Sequence, residues 1–220
     1  KEIVKHVKYI APLSASAARL MELMQDENRS HQDVIKVVEC DPALTANVLK
    51  VVNAPAFGLG QPVSSLARAV AFLGERMIVG IAIGSCSPDV FNKDLDGYES
   101  MRGELWYHCL HTAIAAREIA KYAKKPISEA EAFTAGILHD IGKAVLSDFM
   151  KGLAPELLHS VDEHQAGDFL EAERNMFGVD HCRVGASLVK HWNLPDKLRQ
   201  ATAHHHAPGM AEPEYQALAY

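Results

Sequence analysis

Apolar residues recur along this chain at intervals of three and four, the spacing that lays them on one face of a helix. Leu13, Ala17, Leu20, Met21 and Met24 make the first such stripe, and the polar run Asp26 to Arg29 interrupts it. Ser30, with Asp33 three residues on, predicts a capping box at the head of a second helix through Val34, Ile35, Val37 and Val38. Asp41-Pro42 predicts the next start, aspartate as N-cap and proline in the first turn, ahead of Leu44, Val48, Val51 and Val52. Asn53-Ala54-Pro55 stops that helix, and Phe57 to Pro62 reads as a loop. Ser64 or Ser65 then caps a helix carrying Leu66, Ala69, Val70 and Leu73, with Gly74 placed as its C′ residue. Arg76 to Ile83 makes one more apolar helix.

Residues 87–102, S-P-D-V-F-N-K-D-L-D-G-Y-E-S-M-R, are polar and read as a linker. Asn92, Asp94, Asp96 and Gly97 match the opening of an EF-hand calcium loop, but Gly103 stands where the closing glutamate belongs, so a turn is the better reading. Beyond it a helix from about Glu104 to Tyr122 carries Leu105, Cys109, Ala116, Ile119 and Ala120, with His108 and His111 on one side. Phe133 to Leu146 reads as one central helix. Further helices run from Phe169 to Gly178 through Leu170, Glu173 and Met176, and from His181 through Val184, Leu188 and Val189. Asn193-Leu194-Pro195 breaks the last of these before a helix with Leu198, Ala201 and His205 on one face. Alternation of period two is scarce, so the expectation is an all-α, multi-helix bundle. Its parts would be an N-terminal helical subdomain over 1–86, a linker over 87–103 and a second helical subdomain over 104–220.

Composition agrees with helices: of 220 residues, 48% are hydrophobic and only 7% aromatic. The net charge of −6, from 22 Lys+Arg against 28 Asp+Glu, comes with no basic block beyond Lys124-Lys125, which argues against nucleic acid as a partner. The four cysteines are well separated and form no C-x-x-C unit, as expected of reduced thiols in a cytoplasmic protein. No signal peptide and no apolar run near 18 residues stands out, so no membrane partner is expected. The chain opens on Lys1 and closes on the helical-looking Glu214 to Tyr220; both ends look cut, as in a domain excised from a longer protein.

Candidate chemistry collects in the second half. On a helix at about 100° per residue, Phe133, Ile137, Leu138, Ile141, Ala144 and Val145 share an apolar face, while Gly136, His139, Asp140 and Lys143 gather in a wedge opposite. Imidazole nitrogen and carboxylate oxygen are both metal donors, and neighbours about 100° apart can reach one ion. A capping or salt-bridged His-Asp pair is the plainer reading of that dipeptide taken alone. His108, His181 and His205, on or beside the buried stripes of three other helices, add up to a metal site of the kind helical bundles build from facing helices. Lys143, three residues beyond Asp140, suits a phosphate or the carboxylate itself, and equally a plain surface position. His6, His31, His159 and His164 sit beside polar residues and receive no metal role.

Longer motifs carry a resemblance. W-Y-H at 106–108, G-I-L-H-D-I-G-K at 136–143, H-C-R-V-G-A-S-L-V-K-H-W-N-L-P at 181–195 and H-H-A-P at 205–208 are similar to the HDOD domain, a bacterial regulatory branch of the HD metal-dependent phosphohydrolase superfamily. C-D-P-A-L-T-A-N-V-L-K-V-V-N-A-P-A-F-G at 40–58 and S-S-L-A-R-A-V-A-F-L-G at 64–74 resemble its N-terminal signature. The resemblance implies an HD-like bundle with metal ligands at His108, His139, Asp140, His181, His205 and His206, taking iron in preference to manganese or zinc. It implies a non-catalytic signal-transduction module that meets signalling proteins or attached regulatory domains. The alternative is a phosphohydrolase acting on a phosphomonoester or cyclic nucleotide, with Lys143 in a catalytic role on that phosphate-containing small molecule. Ala207-Pro208-Gly209-Met210 replaces the D-G-x-G-Y-P stretch of the HD-GYP phosphodiesterases, which speaks against their activity. The superfamily's last ligand, an aspartate on the helix that Tyr215 begins, falls beyond the sequence.

Overall fold

The computed structural model describes residues 2–85, 94–95, 98, 100–153 and 168–220. Asn92, Asp96 and Gly97 of the calcium-loop-like turn, most of the expected linker, and His159 and His164 lie outside them. Among the described residues the structure is helical, and a single antiparallel bridge between Leu95 and Ser100 is the nearest approach to a strand. The first helices are α1 (Glu2–His6), α2 (Ala15–Leu23), α3 (His31–Glu39), α4 (Pro42–Val52), α5 (Leu66–Leu73) and α6 (Glu75–Ser85). They are followed by α7 (Glu104–Ala120), α8 (Glu129–Leu138), α9 (Ile141–Ser147), α10 (Phe169–Phe177), α11 (His181–His191), α12 (Asp196–His204) and α13 (Gln216–Ala219).

Several starts follow the cap chemistry. Ser30 and Asp33 close a reciprocal capping box on α3, and the Asp41 carboxylate accepts from the Leu44 N–H at 3.0 Å at the head of α4. Asp168 and Asp180 accept from the backbone N–H of Glu171 and Arg183 in the same way, at 2.8 and 2.9 Å. Ser65 holds the N-cap position of α5 without a side-chain bond. At the far ends, Gly74 (φ 82°) and Gly178 (φ 69°) leave α5 and α10 through positive φ, which glycine adopts without a Cβ clash.

The helices belong to two compact units, each made of separated stretches of chain. One comprises Leu13–Ser87 with Leu110–Ile137. Its core is Leu20, Val34, Val38, Val48, Val52, Ile78, Ile81, Phe133 and Ile137, all but sealed from solvent. Gly136 is there because a Cβ would stand 2.5 Å from the Ala113 Cα, so α8 and α7 touch backbone to backbone.

The other unit comprises Lys1–Pro12, Pro88–Cys109 and Leu138–Tyr220. Val184, Leu188 and Val189 of α11, and Trp192 at its C-cap, are buried, as are Leu138, Ile141, Leu146 and Met150. Trp192 also donates its indole N–H to the Ala11 carbonyl at 3.0 Å, tying the N-terminal stretch to α11. α11 lies between α9 and α12, and glycine permits the closeness. A Cβ on Gly142 would fall 1.9 Å from the His181 carbonyl oxygen and 2.6 Å from the Gly185 nitrogen; one on Gly185 would fall 2.9 Å from Thr202 Cγ2. This crossing brings the first turn of α11 to the start of α9.

The stretch expected as one helix from Phe133 to Leu146 is two. α8 ends at Leu138, His139 and Asp140 form a turn, and α9 begins at Ile141 with Asp140 (φ −101°, ψ 8°) at its N-cap. The apolar stripe ran through the turn unbroken and masked it. Of the residues in the wedge, Gly136 is buried and Asp140 is 2% exposed, while His139 and Lys143 are half-buried.

Candidate metal centre

Asp140 stands at a helix start where aspartate usually spends its carboxylate on a backbone N–H, yet it makes no such cap. Both oxygens are free to turn into the unit. On one side, Oδ2 meets Nε2 of His108 at 3.1 Å, Nε2 of His139 at 3.3 Å and Nζ of Lys143 at 2.6 Å. On the other, Oδ1 faces Nε2 of His181 at 3.3 Å and Nε2 of His205 at 3.4 Å. His206 completes the cluster at the more exposed edge, its ring centroid 4.3 Å from that of His205 and 5.3 Å from that of His181. The sequence-selected residues thus come from three helices and two helix-end turns to surround one carboxylate.

The structure adds three residues that the sequence reading left without a role. Glu173, fully buried on α10, accepts the His181 backbone N–H at 2.7 Å and faces His181 Nδ1 at 2.9 Å with both oxygens. Tyr98 donates its hydroxyl to Glu173 at 2.7 Å. Cys182 is buried beside His205, Sγ to Nε2 4.0 Å. A signal for Glu173 was present: it lies three residues after Leu170 and three before Met176, an acidic group within an apolar stripe.

Charge in the cluster is strongly coupled. Burial opposes ionisation of Asp140, but the facing ring nitrogens of His108, His139, His181 and His205 outweigh it and hold the carboxyl far below the usual carboxylate range. Burial likewise opposes an imidazolium at His181, and the facing Asp140, with Cys182 and Glu173, overcomes it and pushes the ring up. His205 rises for similar reasons, against burial, through Asp140 and Cys182. His206 is pushed down, by burial first and then by the charges of His205 and His181.

Asp140 Oδ1 and His181 Nε2 are buried 3.3 Å apart, and neither has a hydrogen-bond partner among the described residues. Two polar atoms aimed at each other at that depth with no hydrogen bond made are costly to bury, and a metal cation between them would engage both. Imidazole and carboxylate donors of this kind suit a divalent first-row ion, which would displace the shared protons. Among the described residues two groups have the closeness for it, with ligand atoms within 4.8 Å of one another: His108, His139 and Asp140, and His181, Cys182, His205 and His206. A cavity of about 490 Å³ opens on the cluster, lined by Tyr98, Leu105, His108, Lys143, Phe169 and His206 among others.

An all-helical fold whose buried aspartate gathers histidines from separate helices defines the HD-like class of domains. The chain belongs to the HDOD domain family, whose model matches residues 10–208. It is 25% identical, over 227 aligned residues and 98% of its length, to an uncharacterized protein of Treponema pallidum (strain Nichols), of which it spans 41%. Among solved structures, an HDOD domain protein of unknown function from Geobacter sulfurreducens superposes with a TM-score of 0.76 at 24% identity, over 99% of this chain and 74% of that one. A protein of Shewanella amazonensis SB2B, provisionally named a phosphohydrolase, gives 0.74 at 25% identity, over 99% of this chain and 77% of that one.

Proposed function

We propose that this chain is a regulatory domain of bacterial signal transduction whose HD-type pocket holds one or two divalent metal ions through His108, His139, Asp140, His181, His205 and His206. The unpaired, buried facing of His181 Nε2 and Asp140 Oδ1 carries the metal half of this reading. A bound ion would engage both of these atoms at once; iron is the favoured occupant by family resemblance, and manganese and zinc suit the same donors. Lys143 supports a structural use of the site, because its ammonium is already committed to Asp140 Oδ2 at 2.6 Å and fixes the carboxylate. A loaded cluster then acts as a cross-link among α7, α9, α11 and the end of α12. The N-terminal helices and the Phe57-to-Pro62 loop are the surface we assign to partner proteins or attached regulatory domains.

One observation favours a second reading, a metal-dependent phosphohydrolase acting on a phosphomonoester or cyclic nucleotide. The cavity over the cluster is large enough for a small phosphate ester, within the usual range of roughly 300–1,000 Å³ for ligand pockets, and Lys143 and His206 line it. Lys143 would then steady phosphate, and the Shewanella relative's provisional name points the same way.

The two readings part on one experiment. Protein loaded with Mn²⁺ or Fe²⁺ is assayed against a panel of phosphomonoesters and phosphodiesters beside Asp140→Ala. The regulatory reading expects Asp140→Ala to lose metal and thermal stability with no turnover lost. Wild-type turnover of about 1 s⁻¹ or faster, the low end of ordinary enzymes, that collapses in Asp140→Ala would establish the phosphohydrolase instead.

A further inference from the structure

Cys182 reaches the site by register, one residue after His181 in the first turn of α11. It is 5% exposed, and its sulfur lies 4.0 Å from Nε2 of His205. The imidazoles around it are held in a particular way. His181 Nδ1 faces the Glu173 carboxylate at 2.9 Å, and a carboxylate only accepts, so Nδ1 carries the hydrogen and Nε2 is the nitrogen turned into the site. His205 Nδ1 donates to the Thr202 carbonyl at 2.9 Å, with the same consequence for its Nε2. His181 Nε2 is buried without a hydrogen-bond partner among the described residues. Ring nitrogens oriented through their far side in this manner are a usual companion of metal ligation.

The ligand atoms of His181, Cys182, His205 and His206 lie within 4.8 Å of one another. A tetrahedral ion with bonds of about 2.0–2.1 Å to nitrogen and about 2.3 Å to sulfur needs its donors roughly 3.4–3.6 Å apart, so only small side-chain adjustments separate this group from a ligand shell. A thiol is too weak a donor to satisfy the surrounding nitrogens, whereas one cation satisfies every member at once.

We propose that Cys182 is a thiolate ligand, and that His181, Cys182, His205 and His206 form a nitrogen-and-sulfur position for zinc beside the harder nitrogen-and-oxygen position of His108, His139 and Asp140. This rests on the reading of the cluster as a metal centre. Binding forms the zinc–sulfur bond as the thiol proton leaves to solvent, with no change of oxidation state. Thiolate favours zinc over manganese or magnesium, so the two positions sort metals by softness.

Cobalt(II) is the probe. Metal-free protein titrated with cobalt should develop visible ligand-field bands together with a near-ultraviolet sulfur-to-cobalt charge-transfer band, and added zinc should bleach the latter. Cys182→Ser, checked for helix content by circular dichroism, should keep visible bands and lose the charge-transfer band. Visible bands with no sulfur band in the wild type, or a band that survives Cys182→Ser, overturn the cysteine ligand and leave the metal centre standing. Failure of the wild type to take up cobalt overturns both. If Cys182→Ser does not fold, X-ray absorption at the zinc edge of the wild type decides: a sulfur shell at about 2.3 Å supports the proposal, and nitrogen and oxygen neighbours alone refute it.

Discussion

Gly142 is the position where a single methyl group should do most damage. It sits in the first turn of α9, where a Cβ would lie 1.9 Å from the His181 carbonyl oxygen, 2.6 Å from the Gly185 nitrogen and 2.8 Å from the His181 carbonyl carbon. These neighbours are backbone atoms of α11, so no rotamer change relieves the contact. Ordinary contact begins near 3.4 Å, and α9 and α11 must therefore part by about 1.5 Å to admit alanine. Such a shift disturbs Ile141, whose Cγ2 lies 3.4 Å from the Cβ position of Gly185, and the buried Val184 and Leu188 that move with α11. Overpacking of a tight core costs about 1–3 kcal/mol, and a rigid backbone obstacle belongs at the top of that range. At about 2–4 °C per kcal/mol for a chain of this size, Gly142→Ala should lower the melting temperature by about 6–12 °C. Gly209→Ala is the control, since nothing lies within 4 Å of its Cβ position; it should melt within about 2–3 °C of wild type. Scanning calorimetry on the metal-free proteins reads both. A Gly142→Ala protein that melts with the control would show that α9 and α11 do not meet backbone to backbone, and the placement of His181 against Asp140 would fall with it.

Glu173→Gln keeps a hydrogen-bonding oxygen near His181 but removes the carboxylate that orients Nδ1, and should weaken metal retention about 10–100-fold in chelator competition; unchanged retention would remove Glu173 from the site. Asp41→Ala should cost about 1 kcal/mol at pH 7 in urea titration, through the lost cap on α4. The Leu44 N–H first, and then Ser16 against the cost of burial, hold the Asp41 carboxyl below its ordinary value. The stabilisation is therefore fully present above the unfolded-state value near pH 4 and fades as pH falls through the lower folded value, so the gap between wild type and Asp41→Ala should close below about pH 4. A gap that widens on acidification would reverse that sign.

Much of this protein was written locally. Ser30 with Asp33, Asp41 with Pro42, Gly74 and Gly178 announced helix ends because a cap is settled within three or four residues of chain. The stripes of α11 and α12 announced their buried faces because 3.6 residues make a turn wherever the helix lies. The all-helical class and the chemical types of His139, Asp140 and the flanking histidines followed from such short-range facts.

Other features exist only once distant segments pack. The break at His139-Asp140 could not be read from an apolar stripe that continues through it, since Leu138 and Ile141 are buried on either side of the turn. The place of Glu173 in the stripe of α10 hinted at burial but not at its partner His181, and Cys182 looked like one more small core residue until the end of α12 brought His205 to it. Gly142 and Gly185 showed no turn and no positive φ; their need is a neighbour's backbone, which no window of sequence contains. The division of the chain into interleaved units belongs to the same class. Caps and periodicity act over a few ångströms along the chain, whereas burial, unpaired donor atoms and backbone-to-backbone contact are relations between residues tens of positions apart, and tertiary packing alone decides them.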